Sequence, residues 1–339
     1  MNKKRVLAML LAGAIALSMT ACGGGNSAPT DDSSNDGGAS ASGGSYKVSV
    51  ILKTLAAEYW QYVKSGAEDY ASEHSDKVTV EVKGPSSETA FDEMQNMIET
   101  DLSSGSYDGI VISPLQSDTA AQLVSGTKLP IVAIDTNFTA PEVKSFVGTG
   151  NEAAAKKGGE AAVEAAKAAG WTDIKCIEIA GVQGDQTNTA RMNGYKAGVE
   201  EAGGTFLSDE VQYADATADR ATTAMEAIMQ THPEGIAIIC ANNDDMAMAA
   251  ARAAQGHDAY KNTIFLGFNG DRAACEAILA GQMTMSVAQM AYEMGYKAVE
   301  TMIQVLDGET VDEFVDSGSD VVTPDNAQER LDTLKTQIH

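Results

Sequence analysis

The chain has 339 residues, and its 48 acidic side chains outnumber 23 Lys and Arg, which gives a formal net charge of −25 at pH 7. So acidic a chain is not expected to bind nucleic acid or anionic lipid through charge. Four His and four Cys are scattered without the spacing of a transition-metal site. Neither a metal nor a cofactor is therefore expected.

The first 45 residues predict export and anchoring. Positive residues 3–5 precede an apolar run, residues 6–19, that is too short to span a bilayer. Met19-Thr-Ala-Cys22 follows and resembles the lipobox of bacterial lipoproteins, which implies a signal peptide over residues 1–21 and lipidation of Cys22. Residues 22–45, rich in Gly, Ser, Ala and Asp, then form a disordered tether. A secretory signal with a chance cysteine is the alternative, and both place the protein outside the cytoplasm.

Three cysteines remain after Cys22. Cys176 and Cys240 fall in apolar strands and Cys275 falls on a helix, and none belongs to a Cys-x-x-Cys pair. Three cysteines cannot all pair with one another, so buried free thiols are favoured over a structural disulfide.

From Tyr46 onward, apolar strands alternate with amphipathic helices, and the strand–helix order repeats after Asn151. This α/β pattern predicts two doubly wound parallel-sheet lobes that face each other across a cleft. Strands are predicted over residues 46–52, 78–82, 108–114, 129–135, 174–180, 211–213, 235–241 and 263–268.

The loop after the first strand is predicted to form one wall of that cleft, because ligands bind at the carboxyl edge of such sheets. It carries a cation, Lys53, and two adjacent aromatic residues, Tyr59 and Trp60. The alternative is that both rings are ordinary core residues, and this stretch alone fits that interpretation equally well.

Later strand ends are also polar. Asp135, Asn243 and Asn269 each end an apolar strand and are predicted to face the cleft. Helix capping is expected instead for a second group of acids, which consists of Asp219, Asp244, Asp245 and Asp271.

Residues 46 to about 324 resemble the type I periplasmic sugar-binding proteins of ABC transporters, most closely D-allose-binding proteins and more distantly ribose-binding proteins. Several motifs in the right order carry the resemblance. They are Val50-Ile-Leu-Lys-Thr-Leu55, Glu58-Tyr-Trp60, Tyr107-Asp-Gly-Ile110, Pro130-Ile-Val-Ala-Ile-Asp135, Ala190-Arg-Met-Asn-Gly194, Cys240-Ala-Asn-Asn-Asp-Asp-Met246, Ala280-Gly-Gln-Met-Thr284 and Val287-Ala-Gln289.

The resemblance implies a monomeric binding protein, not an enzyme, that captures a monosaccharide or polyol by hinge closure and delivers it to an ABC permease. The implied ligand contacts are Lys53, Tyr59, Trp60 and Asp135 on one wall, Arg191, Asn243 and Asn269 on the other, and Gln289 at a hinge crossing. The implied lobes comprise residues 46–149 with 290–318 and residues 150–289 with 319–339, joined by a three-stranded hinge. A last helix, residues 324–337, is assigned to the second lobe.

Four departures from the family pattern concern the ligand. Ala57-Glu58 stands where relatives have Asn-Pro, Asn269 replaces an Asp, Ala218 replaces an aromatic residue and Thr136 replaces an Arg. An unpaired buried hydroxyl costs about 1–3 kcal/mol, so these changes are enough to exclude the relatives' own sugars. A sugar or polyol is expected, without a named one.

Three other functions would each fit part of the sequence. Gly148-Thr-Gly150 with Ala153 fits a nicotinamide-binding turn, but no strand-ending acid follows about 20 residues later, so a hinge crossing explains it better. A sugar-responsive repressor would carry a basic helix-turn-helix ahead of the two lobes. An export signal and an acidic tether occupy that place, so the repressor function is not expected. The third alternative is a sensor that presents its closed form to a receptor ectodomain. The sequence does not separate a sensor from a transport protein, because both would use the same closure of the lobes.

Overall fold

The computed structural model describes residues 45–338. The predicted signal peptide, the lipidation of Cys22 and all of the tether except Ser45 lie outside the described residues. Over residues 45–338, no helix combines the length and the apolar character needed to cross a bilayer.

Strands and helices alternate through the described chain, as the sequence pattern predicts. The strands are β1 (Tyr46–Ile51), β2 (Val78–Lys83), β3 (Gly109–Ile112), β4 (Ile131–Ile134), β5 (Val143–Gly148), β6 (Lys175–Ala180), β7 (Thr205–Phe206), β8 (Gln212–Tyr213), β9 (Ile238–Ala241), β10 (Ile264–Asn269), β11 (Met285–Gln289), β12 (Phe314–Asp316) and β13 (Ser319–Val322). The α-helices are α1 (Glu58–Glu73), α2 (Phe91–Ser104), α3 (Ser117–Val124), α4 (Asn151–Ala168), α5 (Gln186–Glu201), α6 (Ala218–Thr231), α7 (Asp244–Ala254), α8 (Arg272–Leu279), α9 (Ala291–Leu306) and α10 (Ala327–Leu334).

The strands form two sheets. The first has the order β12-β5-β4-β3-β1-β2, and the second has the order β13-β11-β10-β9-β6-β7, with β8 also paired to β6. All pairings are parallel except that of β13 with β11. Inner strands such as β3 and β4 are buried along their whole length, which requires cover on both faces. The predicted α/β fold with two parallel sheets is confirmed.

Helix α9 shows why a late segment belongs to the first sheet. It packs along α1, and each helix carries a glycine at the contact. A Cβ placed on Gly66 would lie 1.9 Å from the carbonyl oxygen of Tyr292, and one on Gly295 would lie 1.9 Å from that of Val63. The two backbones therefore touch, and a methyl group on either glycine has no room.

The chain passes between the two sheets three times: between β5 and α4, between β11 and α9, and between β12 and β13. We call the first sheet with its helices the first lobe and the second sheet with its helices the second lobe. The exact lobe boundaries given above remain a prediction. Helix α10 packs against α8 of the second lobe, and it is shorter than the predicted residues 324–337.

The capping predictions need correction. Asn243, not Asp244, caps α7, because its Oδ1 accepts the backbone N–H of Met246 at 2.9 Å. Asp244 is fully buried and accepts hydrogen bonds from the Ser286 hydroxyl and the Asp271 backbone N–H instead.

Neither Asp219 nor Asp271 caps a helix with its side chain. Thr217 occupies the N-cap position of α6, so Asp219 lies in the first turn of that helix. Its carboxylate interacts favourably there with the positive end of the helix dipole. Asp271 occupies the N-cap position of α8 without a side-chain cap bond.

The three remaining cysteines are buried and free, as predicted.

Candidate functional site

A cleft separates the two lobes at the carboxyl ends of their strands. The space between the two walls measures about 510 Å³, with the part that is open to solvent included. The side chains lining it are mostly polar. The first lobe contributes Lys53, Ala57, Tyr59, Trp60, Glu88 and Asp135, and the second contributes Gly181, Val182, Asp185, Thr187, Asn188, Arg191, Ala216, Asn242, Asn243, Asp245 and Asn269.

An aromatic pair forms part of the first wall. The rings of Tyr59 and Trp60 meet edge to face with centroids 4.9 Å apart, and both residues are at most 4% exposed. The Tyr59 hydroxyl donates to Asp135 at 2.8 Å, and the Trp60 indole N–H donates to Glu88 at 3.0 Å. The rings thus belong to the hydrophobic core and line the cleft at the same time, so the two interpretations of this pair are compatible.

Lys53 connects the two lobes. Its buried ammonium is paired with Asp185 of the second lobe and lies 3.9 Å from Oδ2 of Asp135. Burial by itself lowers the pKa of Lys53, but the charges of Asp185 and Asp135 outweigh it and raise that pKa. Lys53 is therefore a fixed positive charge in the cleft.

Asp135 follows β4 in a left-handed backbone conformation with φ 61°, which Asp tolerates better than most residues. Its side chain accepts hydrogen bonds from the hydroxyls of Tyr59 and Thr136. The Thr136 hydroxyl also contacts the Thr187 hydroxyl of the second lobe at 2.6 Å. The carboxylate is thus held at the junction of the lobes.

Arg191, on α5, is the main cation of the second wall. Its Nε donates to Asn151 and one terminal nitrogen donates to the carbonyl of Asn242, both at 2.9 Å, while the guanidinium lies 3.9 Å from the centre of the Phe268 ring. The other terminal nitrogen has no hydrogen-bond partner among the described residues. It is available to a ligand oxygen.

The amide side chains play more local roles than predicted. Asn243 lines the cleft, yet its Nδ2 donates to the carbonyl of Ala216 while its Oδ1 caps α7. Asn269, with φ 136°, accepts from Gln289 at 2.9 Å. Gln289 is fully buried and does not line the cleft.

Seven predicted contacts therefore share the cleft, and Gln289 lies behind it. The seven are Lys53, Tyr59, Trp60, Asp135, Arg191, Asn243 and Asn269.

Sequence reasoning missed several lining residues. Asp185 accepts the backbone N–H groups of Thr187 and Asn188, which is ordinary N-cap chemistry and hides its second role as the partner of Lys53. Glu88 follows β2, so the polar loop at that strand end was the signal that could have revealed it. The prediction that Asp245 caps a helix is wrong, because Asn243 caps α7 and Asp245 lies in the first turn of that helix, where it lines the cleft.

A second ion pair joins the lobes, and neither of its residues lines the cleft. Nε of Arg272 in the second lobe lies 3.2 Å from Oε1 of Glu58 in the first lobe. The same Glu58 oxygen also accepts a hydrogen bond from the Tyr62 hydroxyl. The structure is thus a closed arrangement in which ionic and hydroxyl contacts join the lobes. Residues 45–338 hold no cluster of three or more His, Cys, Asp or Glu arranged to bind a metal.

Comparison with known proteins identifies the family. The profile of the periplasmic binding protein domain matches residues 48–310. The chain is 30% identical over 265 residues to the D-allose-binding periplasmic protein of Escherichia coli K12, covering 75% of this chain and 83% of that protein. It is 27% identical over 268 residues to the ribose import binding protein of the same organism, covering 78% and 86%.

Solved structures agree. A carbohydrate transporter solute-binding protein from Agrobacterium radiobacter in complex with D-arabinose superposes with a TM-score of 0.77 at 24% identity, covering 88% of this chain and all of that one. An ABC transporter solute-binding protein from Mycobacterium smegmatis with bound glycerol superposes with a TM-score of 0.73 at 26% identity. The match covers 84% of this chain and 96% of that one. These relatives are binding proteins rather than enzymes, as expected for this chain. The chain belongs to the type I periplasmic sugar-binding proteins.

Proposed function

We propose that this protein is the extracytoplasmic substrate-binding lipoprotein of an ABC sugar importer and captures a monosaccharide or polyol between its lobes. One observation carries the proposal: an aromatic pair and opposed carboxylate, guanidinium and amide groups converge on one cleft. A sugar ring has apolar C–H faces that stack on aromatic rings and hydroxyls that both donate and accept hydrogen bonds. The cleft offers partners for both.

Each wall has a distinct task in this proposal. Tyr59 and Trp60 stack against the ligand, Asp135 accepts from its hydroxyls, and Arg191 donates to its oxygen atoms. Asn243 and Asn269 border the ligand from the second lobe, and Gln289 fixes Asn269 from behind. The ligand is released unchanged.

Closure couples binding to delivery. The ligand meets the first wall in the open form, and contacts from the second wall stabilise the closed form. The Lys53–Asp185 pair supports this step because it joins the lobes inside the cleft. The permease then recognises the closed shape. The alternative, presentation of the closed form to a receptor ectodomain, predicts that sugar uptake survives deletion of this protein.

Anchoring through Cys22 rests on the sequence alone, and we propose that the mature protein is a monomer tethered by residues 22–45. Replacing Cys22 with Ser is expected to move the protein from the membrane fraction to the soluble fraction of the producing cells. Continued membrane association of the variant would contradict lipidation at this residue.

The ligand class is tested by thermal shift on residues 46–339 with aldohexoses, ketohexoses, pentoses and polyols. At least one sugar or polyol should raise Tm, and Asp135→Ala or Arg191→Ala should abolish the shift, because each removes a polar group that faces the cleft. His232→Ala is the control, since His232 pairs with Glu210 outside the cleft and its loss should leave the shift intact. A panel without any stabilising member would contradict the proposed function.

A further inference from the structure

Glu88 is an acidic residue of the cleft that the sequence analysis did not single out. It lies in the loop between β2 and α2, residues 84–90, at the carboxyl edge of the first sheet. This loop is closely packed: a Cβ on Gly84 would lie 2.9 Å from the carbonyl oxygen of Leu52, and Ser86 is held by the side chain of Glu93. The backbone therefore fixes where Glu88 stands.

One oxygen of Glu88 orients Trp60. Oε1 accepts the indole N–H at 3.0 Å, just as Asp135 accepts the hydroxyl of Tyr59. Each ring of the aromatic pair is thus held at its polar end by a carboxylate that also lines the cleft. A buried indole N–H needs such a partner, so Glu88 sets the plane on which a ligand would stack.

The other oxygen of Glu88, Oε2, has no hydrogen-bond partner among residues 45–338. Burial raises the pKa of Glu88, and the nearby Lys53 ammonium opposes that effect. Asp135 and Asp185 raise this pKa further, so the neighbourhood already holds more carboxylates than cations. A hydrogen-bond donor brought by a ligand would relieve this local excess of acceptors.

We propose that Glu88 determines specificity in the cleft: Oε1 positions Trp60, and Oε2 accepts a hydrogen bond from a ligand hydroxyl or ammonium group next to the C–H face that stacks on Trp60. The inference rests on the proposed sugar-binding function and narrows its ligand class. The ligand must carry a donor beside its stacking face, and an analogue deoxygenated there is rejected.

The first test separates the two oxygens. Glu88→Gln keeps an amide oxygen for the indole N–H but can present an N–H₂ donor where Oε2 stood, whereas Glu88→Ala removes both acceptors. In a Trp171→Phe background, the long-wavelength bands of the near-UV circular dichroism spectrum, which lie beyond those of Tyr and Phe, report Trp60, since the chain has two Trp residues. The Gln variant should keep the wild-type spectrum, and the Ala variant should lose intensity.

The second test measures binding by calorimetry, with D-allose, D-ribose, D-arabinose, myo-inositol, D-glucosamine and D-galactosamine as probes. Glu88→Gln should weaken each probe that binds the wild type by about tenfold or more, because an acceptor facing a ligand donor is lost. Glu99→Gln is the matched control, since Glu99 is exposed on the neighbouring helix α2 and does not line the cleft, and it should bind as the wild type does.

Every outcome bears on the inference. A larger loss for the amino sugars supports it with an ammonium as the donor, and an equal loss supports it with a hydroxyl. Unchanged binding by Glu88→Gln overturns it and leaves the proposed function standing. Failure of all six probes together with the wider sugar panel on the wild type contradicts the proposed function itself, and the inference falls with it.

Discussion

Glu178 is a buried acid beside Asn242, a residue that lines the cleft, and its protonation makes the stability of the protein depend on pH. It lies on β6, fully buried, with Oε1 3.4 Å from the side-chain nitrogen of Asn242 and with Oε2 lacking a partner among the described residues. Burial raises its pKa to about 8, and the hydrogen bond from Asn242 and the charge of Arg191 only partly oppose this. Glu178 is therefore neutral at neutral pH.

The consequence is a loss of stability as pH rises. In the unfolded chain the pKa of Glu178 returns to about 4.3, so the folded state binds the extra proton between that value and about 8. The stability that this extra proton on Glu178 contributes to the folded state is fully present below about pH 4. It is lost progressively as the pH rises to about 8. The whole effect is at most on the order of 5 kcal/mol.

Replacing Glu178 with Gln, which mimics the neutral acid, should remove this dependence. The free energy of unfolding of Glu178→Gln relative to the wild type should rise between pH 5 and pH 8, as measured by urea denaturation. Glu226→Gln, at an exposed position on α6 of the same lobe, serves as the control and should show no such trend. A difference between Glu178→Gln and the wild type that is constant with pH would contradict the assignment.

At the scale of elements, the contact between α1 and α9 holds the first wall in place. Tyr59 and Trp60 lie in the first turn of α1, so the position of this helix sets the position of the aromatic pair. Gly66 and Gly295 allow the two backbones to touch, and no other residue type fits there.

Gly66→Ala tests this contact. In an exposed helix the change would stabilise by about 1 kcal/mol, but here the added methyl meets a backbone carbonyl, so we expect a destabilisation of roughly 3 kcal/mol. Gly150→Ala is the control, because a Cβ there meets nothing within 4 Å, and its unfolding free energy should stay close to that of the wild type. Equal denaturation midpoints for the two variants would refute the close contact.

For the whole molecule, two ion pairs join the lobes, and burial decides which one matters more. The Lys53 and Asp185 side chains are 5% and 7% exposed, whereas that of Arg272 is 54% exposed. Breaking a buried pair costs about 3–5 kcal/mol, while an exposed pair contributes about 0–1 kcal/mol. Closure should therefore depend chiefly on the pair inside the cleft.

Asp185→Asn removes that charge but keeps an N-cap acceptor for α5. It should weaken binding of a stabilising sugar from the panel by at least about a hundredfold and reduce the sugar-induced compaction seen by small-angle X-ray scattering. Arg272→Gln should weaken binding less than about fivefold, with a difference that shrinks at high salt. A larger effect of Arg272→Gln than of Asp185→Asn would reverse this ranking.

The sequence predicted most of the long strands and helices because their apolar periodicity is strong, as in β6 and α9, but β5 and β11 were not among the predicted strands. It did not predict short elements such as β12 and β13, which span three and four residues and carry too little pattern. Their places at the sheet edges depend on the three chain crossings, a tertiary property.

For the site, strand ends and family motifs were sufficient to find Asp135 and Arg191. Glu88 and Asp185 were missed because one lies in a loop and the other resembles a simple cap. Pairing across two lobes brings Asp185 to Lys53, and no local pattern records that pairing.

The double duty of Tyr59 and Trp60 constrains how this protein can change its ligand over evolution. Any replacement of either ring also perturbs the core that α1 shares with its neighbours, so such changes risk the folded state before they alter preference. New specificities are therefore expected to arise through the opposite lobe and the loop that carries Glu88. Among natural homologues, diversity should be concentrated there, with the two rings left nearly invariant.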